Sequence, residues 1–162
     1  YATSFSLEAI VRPALHALSE ETRESASFYI EAKGGRLCLY RAEPLVGLRD
    51  HILAGTVFPP DKSATGLVFA RKEALENGTC EAALPYATVG VRDVYTSSFS
   101  MPVFGADDKF VGALTLSGPT ARISVSDKDA LEASIVLCAD RIARALGASR
   151  RRREMAYRIK AS

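Results

Sequence analysis

Histidine and cysteine are scarce in this sequence. Two histidines, His16 and His51, and three cysteines, Cys38, Cys80 and Cys138, occur in 162 residues. Neither histidine sits in a ligand spacing such as H-E-x-x-H, so no metal centre is expected. Widely separated cysteines in odd number make a poor disulfide framework and no zinc pattern, which points to a reducing cytoplasm. There is no G-x-S-x-G, no phosphate loop and no nucleophile–base pair at a recognisable spacing. No catalytic residue and no cofactor is therefore assigned. No run approaches the ~18 apolar residues of a membrane span. The N-terminus lacks the basic start and apolar stretch of a signal peptide. A formal net charge of +2 creates no field that would by itself recruit nucleic acid.

What is present reads as one soluble globular domain: 48% hydrophobic and 25% charged residues is ordinary for a packed core. A chain of this size buries roughly 68–70% of its unfolded surface without needing staples. Residues 6–24 form an amphipathic pattern, with Leu7, Ile10, Val11, Ala14, Leu15 and Leu18 on one face. Pro13 within it predicts a kink, or a second helix starting there. Strands are expected over 27–31 and 37–41 around a Gly34-Gly35 turn, then over 48–53, 86–91, 97–104 and 110–117. A short helix is expected from about Ser63 to Leu75, closed at Asn77-Gly78. A long helix spans 127–146, with Ser126 as its N-cap and Leu131, Ile135, Cys138, Ile142 and Leu146 as its buried stripe. Consecutive hairpins with helices at both ends define an antiparallel α+β domain.

Two segments carry a family resemblance. The first begins LSEETRESASFYIEA at Leu18 and ends LCLYRAEPLVGLRDHILAGTVFPPDKSATGLVFA at Ala70. The second is SFSMPVFGADDKFVGALTLSGPTARIS, from Ser98. In this order, followed by a long helix, they resemble the sensing half of IclR-family transcription regulators over about half the chain. Two features depart from the commonest pattern. The stretch between Ala70 and Ser98 is short, and Leu67 stands where relatives carry lysine.

The resemblance implies a GAF-like antiparallel sheet flanked by N- and C-terminal helices, with a small-molecule pocket on one face. It implies a winged helix-turn-helix domain preceding this chain, through which DNA is bound, and assembly as a dimer or tetramer. The start at Tyr1, directly in helical sequence, fits a domain cut from a longer protein. Residues 1–24 are read as linker and first helix, 25–148 as the sensing domain and 149–162 as a basic tail.

Several residues suit a small carboxylate. The loop into the helix at Ser63, Ala64 and Thr65 offers free backbone N–H groups and a favourable dipole; an ordinary N-cap is the alternative. Thr115 and Ser117 alternate with Leu114 and Leu116, so both hydroxyls share one face. Ser98 and Ser100 on the neighbouring strand extend that floor. The resemblance places Ser63, Ala64, Thr65, Ser98, Thr115 and Ser117 around the effector. Alternation puts Asp50 opposite Arg49 and His51. We assign Asp50 to the pocket, with an exposed ion pair as the alternative, and Arg92-Asp93 has the same ambiguity.

Arg150 to Arg153 follow a helix end and lack interleaved aromatics before Tyr157. They read as a solvated tail rather than a nucleic-acid site. Two rival functions remain: a GAF-type sensor of a signalling protein that does not bind DNA, and a cysteine-based methionine sulfoxide reductase using Cys38 and Cys80. The SGPTAR block argues against the first. Cys38 reads as a core strand residue, which argues against the second.

Overall fold

Alternation of apolar and small polar residues builds the centre of the molecule. The computed structural model describes residues 4–45, 53–80, 83–91 and 93–159. Its sheet has the order β3-β2-β1-β6-β5-β4, antiparallel throughout. β1 (Ser25–Ala32) and β2 (Gly35–Ala42) form the expected hairpin, and Gly34 takes the φ of 81° that its turn requires. β3 is short, Val57–Phe58. β4 (Tyr86–Val89), β5 (Thr96–Phe104) and β6 (Phe110–Pro119) form a meander, and β6 returns beside β1 to close the middle of the sheet.

Each central strand has two unlike faces. Ala26, Phe28, Phe99, Met101, Leu114 and Leu116 share one, all no more than 4% exposed. α1 (Ser4–Thr22) lies over this apolar face, with the Arg12 guanidinium 5.1 Å from the centre of the Tyr40 ring, opposite Phe28. α5 (Lys128–Ala145) packs beside α1, where the Cys138 thiol donates to the Ala14 carbonyl at 3.7 Å. Its stripe of Leu131, Ile135, Cys138, Ile142 and Leu146 is buried as the periodicity predicts. Each leucine or isoleucine of the stripe contributes roughly 1.5–3 kcal/mol of transfer free energy. The opposite face carries hydroxyls and is covered by α2 (Ala64–Ala70). The α+β architecture is the expected one.

Four local expectations change. α1 runs unbroken through Pro13; Pro13 and Ala9, the residue whose carbonyl a proline cannot bond, are both exposed, so the missing bond falls on the solvent side of the helix. Val11, Leu15 and Leu18 of this helix are in the domain's own core, which makes α1 more than a linker. The helix expected over 63–75 is two: α2 ends at Arg71, which stacks over the Tyr86 ring, and α3 (Lys72–Asn77) follows, closed by Gly78 at φ 73°. The N-cap of α5 is Asp127, accepting from the Ala130 N–H at 3.1 Å, while Ser126 donates back to the Arg122 carbonyl. The strand expected over 48–53 falls outside the described residues except for Leu53, which is not in a strand.

The arginine run is no solvated tail. Ser149 caps α6 (Arg150–Tyr157) and is itself held by the Asp108 carboxylate at 2.7 Å. Arg152 donates to the carbonyls of Leu75 and Glu76 and lies over the Phe104 ring. Arg153 pairs with Asp140 at 2.8 and 3.2 Å. The Tyr157 hydroxyl, 2% exposed, donates to the Pro102 carbonyl and accepts from the Phe104 N–H. The SGPTAR motif also contacts the residue that precedes β1. Arg122, in α4 (Thr120–Ile123), clasps the Glu24 carboxylate at 2.7 and 2.9 Å, and Glu24 is 1% exposed. A Cβ on Gly118 would stand 2.2 Å from that carboxylate, so only glycine lets it approach.

Candidate functional site

The polar face of the sheet is organised in two cross-strand rows. Strand register aligns Tyr86, Ser100, Thr115, Ser27 and Arg41 in one, and Thr88, Ser98, Ser117 and Ser25 in the other. Most of these side chains are buried, so their polar atoms need partners. Thr115 shares hydrogen bonds with Ser100 at 3.0 Å and with Thr65 of α2 at 2.6 Å. Thr88 and Ser98 share one at 3.3 Å, and Arg41 donates to Ser27 at 2.8 Å. The Ser25 hydroxyl is buried without a hydrogen-bond partner among the described residues.

α2 reaches this floor with its first turn. Ser63 is an N-cap whose hydroxyl accepts from the Gly66 N–H at 3.1 Å. The Ala64 N–H donates to the Thr88 hydroxyl at 2.9 Å. Five of the expected site residues, Ser63, Thr65, Ser98, Thr115 and Ser117, surround one small void of about 20 Å³ together with Tyr29, Thr88 and Arg36. That is room for about one water, and for no metabolite. Ala64 meets the hydroxyls through its backbone, the group expected to hold an anion, while its side chain is fully buried in the hydrophobic core. Asp50, with Arg49 and His51, lies outside the described residues, as does Arg92; Asp93 is described and accepts from the Tyr95 N–H in an exposed turn.

Sequence reasoning missed Arg36, whose side chain is 4% exposed at the edge of this void. Its guanidinium lies 5.2 Å from the Phe58 ring centre and 5.7 Å from that of Tyr29. It donates to both oxygens of Asp61 at 3.1 and 3.3 Å, and to the Ser63 hydroxyl at 3.2 Å. Burial alone would raise the Asp61 carboxyl, but hydrogen bonds from Ser63 and Arg36 outweigh it and hold the group below its ordinary range. The available signal was the alternation of Arg36 with Cys38; the partner, 25 residues further on, has no local signature.

Cys38 is buried, and burial pushes its thiol up, away from the thiolate that redox chemistry needs. Cys80 shares a 3.5 Å hydrogen bond with the Tyr86 hydroxyl, and none of the three cysteines is in a disulfide. Among the described residues no group of three or more His, Cys, Asp or Glu is placed to hold a metal ion. No described helix is long and apolar enough to cross a membrane.

No protein-family model matches the chain, and no curated protein does. Among solved structures, the fold is that of IclR-family transcriptional regulators. A regulator of Silicibacter sp. described as IclR is similar at 17% identity and TM-score 0.75, over 88% of this chain and 68% of that one. HmgR of Pseudomonas aeruginosa is similar at 18% identity and TM-score 0.76, over 89% and 68%. A targeted domain of an IclR-family regulator is similar at 14% identity and TM-score 0.73, over 89% of this chain and 99% of that domain. The chain thus spans about two thirds of the longer regulators and nearly all of the single domain. Identities this low carry the fold.

Proposed function

We propose that this chain is the effector-binding domain of an IclR-family transcription regulator, sensing a small organic acid between the start of α2 and the hydroxyl rows of β5 and β6. The observation that carries the reading is a sheet face that buries two aligned rows of hydroxyls and an arginine beneath a helix start. A face meant only for packing gains nothing from such groups, because each buried polar atom needs a partner. Ser63, Thr65, Ser98, Thr115 and Ser117 supply donors and acceptors, and Ala64 supplies its backbone.

The void is too small for a metabolite as it stands, so binding requires α2 to move off the sheet. Ligand-dependent displacement of one element is a common way for a sensor to signal. DNA contact belongs to a winged helix-turn-helix domain preceding this chain in a cytoplasmic protein. Self-association as a dimer or tetramer rests on the family likeness, since the apolar stripe of α1 is used inside the domain. A 17.4 kDa species in light scattering at high concentration would count against it. We propose no turnover, with methionine-sulfoxide reduction lost in Cys80→Ser as the contrary result.

The direct test is a thermal-shift screen of small carboxylates, followed by calorimetry on Ser117→Ala. Losing one hydrogen bond costs about 0.5–1.5 kcal/mol, or up to roughly 3 if it is made to a charge. Affinity then falls about 2- to 150-fold. An acid that binds with undiminished affinity to both Ser117→Ala and Thr115→Val places the site elsewhere.

A further inference from the structure

The residues that suit a ligand's polar end and the space that suits its body are separated. Outside the small hydroxyl-lined void, beyond Arg36, lies a second cavity of about 370 Å³ between the β1–β2 turn and α2. That is the size of small-molecule pockets, which are mostly apolar with a few placed polar groups. Gly34, Gly35, Pro60, Phe69 and Ala70 line it, Arg36 and Asp61 stand at its inner end, and the Glu31–Lys72 ion pair, 2.6 Å, also borders it. Arg36 borders both spaces.

Asp61 occupies the seat that a bound carboxylate would need. Besides the two bonds from Arg36, it accepts from the Ser63 N–H at 3.1 Å and from the Ser63 hydroxyl at 2.5 Å. Four donors on one carboxylate make a complete anion cradle. The seat is closely built, since a Cβ on Gly66 would lie 2.2 Å from both the carbonyl and a carboxylate oxygen of Asp61. Arg36 is held in place independently of Asp61 by the Phe58 and Tyr29 rings. Its Nε–H is buried without a hydrogen-bond partner among the described residues, so Asp61 leaves part of the guanidinium unused. Asp61 itself keeps 28% of its side chain exposed, which gives it a way out.

We propose that the Arg36–Asp61 ion pair is a displaceable latch: a carboxylate with an apolar tail takes the place of Asp61 on Arg36 and seats its tail in the outer cavity. The inference rests on the effector-domain reading and adds to it Arg36 as the anion-recognising residue, the seat of the ligand's apolar tail and the step that opens the site. Asp61 is tethered and competes at high effective concentration. A bare carboxylate such as acetate therefore does not displace it, and the tail's burial must supply the difference. Asp61 leaving Ser63 also frees the loop before α2, which links the exchange to movement of that helix.

The test compares acetate, 3-phenylpropionate and 3-phenylpropionamide by calorimetry on the wild type, Asp61→Asn and Ala70→Trp. Asp61→Asn removes the competing charge and is expected to bind 3-phenylpropionate at least ten-fold more tightly than the wild type, with no gain for the amide. Because that variant leaves Arg36 without its counter-charge and is less stable, Ala70→Trp is the second arm. Ala70 is exposed at the end of α2, so a tryptophan there fills the outer cavity without entering the core and reduces 3-phenylpropionate to the level of acetate. Equal affinity of wild type and Asp61→Asn overturns the latch, and binding indifferent to Ala70→Trp overturns the outer cavity. If 3-phenylpropionate binding is indifferent to both but lost in Ser117→Ala, the effector reading stands and the latch falls. If no carboxylate of this set or of the wider screen binds any form, both fall.

Discussion

Glu24 and Asp61 are two partly or fully buried carboxylates with opposite consequences for the chain. Glu24 is enclosed, and Arg122 is its counter-ion, with 32% of the arginine side chain exposed. Removing that partner strands a buried charge, so Arg122→Ala is expected to cost about 3–5 kcal/mol by denaturant unfolding. Glu24→Gln, which keeps the shape and removes the charge, should cost less. Asp61 sits nearer the surface, and its depressed titration makes it a source of pH-dependent stability. A carboxyl lowered in the folded state contributes above its unfolded value of 3.8; that contribution is lost as pH falls through the lower folded value. Unfolding followed from pH 6 downward should show this loss below about pH 4 in the wild type, and a flatter curve in Asp61→Asn. The hydroxyls at 98, 100, 115 and 117 were legible because a strand alternates with period two. Arg36 was not legible as a site residue, because its partners Asp61, Phe58 and Ser63 meet it only through β3 and the loop before α2.

Among the elements, the last helix shows how composition misleads when tertiary partners are hidden. Four consecutive arginines look like a solvated segment, yet Arg152 and Arg153 are used as clamps and Tyr157 as a peg. Tyr157→Phe removes the partner of both the Phe104 N–H and the Pro102 carbonyl. It is expected to destabilise by about 1–3 kcal/mol, with ligand affinity unchanged because Pro102 and Phe104 lie further along β5 than Ser98 and Ser100 and border neither the void nor the outer cavity. Helix α2 behaves differently, since its cap is also part of the proposed site. Ser63→Ala loses a cap worth about 0.5–2 kcal/mol and removes an acceptor for Arg36. The variant should therefore lose both stability and carboxylate affinity in the same titration. Element boundaries moved where side-chain partners intervened: Arg71 interrupts the α2–α3 run by stacking on Tyr86, and Asp127 rather than Ser126 reaches the free N–H groups of α5.

At the scale of the molecule, the two faces of the sheet divide the work. The apolar face, with α1 and α5, supplies much of the core; the polar face is joined to α2 and the loop before it by hydrogen bonds and by the Arg36–Asp61 ion pair, the one proposed to exchange with a ligand. A ligand selective for the folded state stabilises by about 2.7 kcal/mol at a hundred times its Kd. For a chain of this length that raises Tm by roughly 5–11 °C. The expected signature of an effector is such a rise, saturating with concentration and absent for the matching amide.

The sequence by itself determined the class of the fold, the hairpins, the buried stripe of α5 and the face on which the hydroxyls lie. These follow from local periodicity and turn chemistry, which need no knowledge of distant contacts. Only the tertiary structure decided that Pro13 is tolerated, that the arginine run docks, and that Gly118 makes room for Glu24. It also decided that Arg36 and Asp61 stand between the hydroxyls and the larger cavity. Each of these depends on residues far apart in the chain meeting across a packed interface, where burial and pairing override local preference.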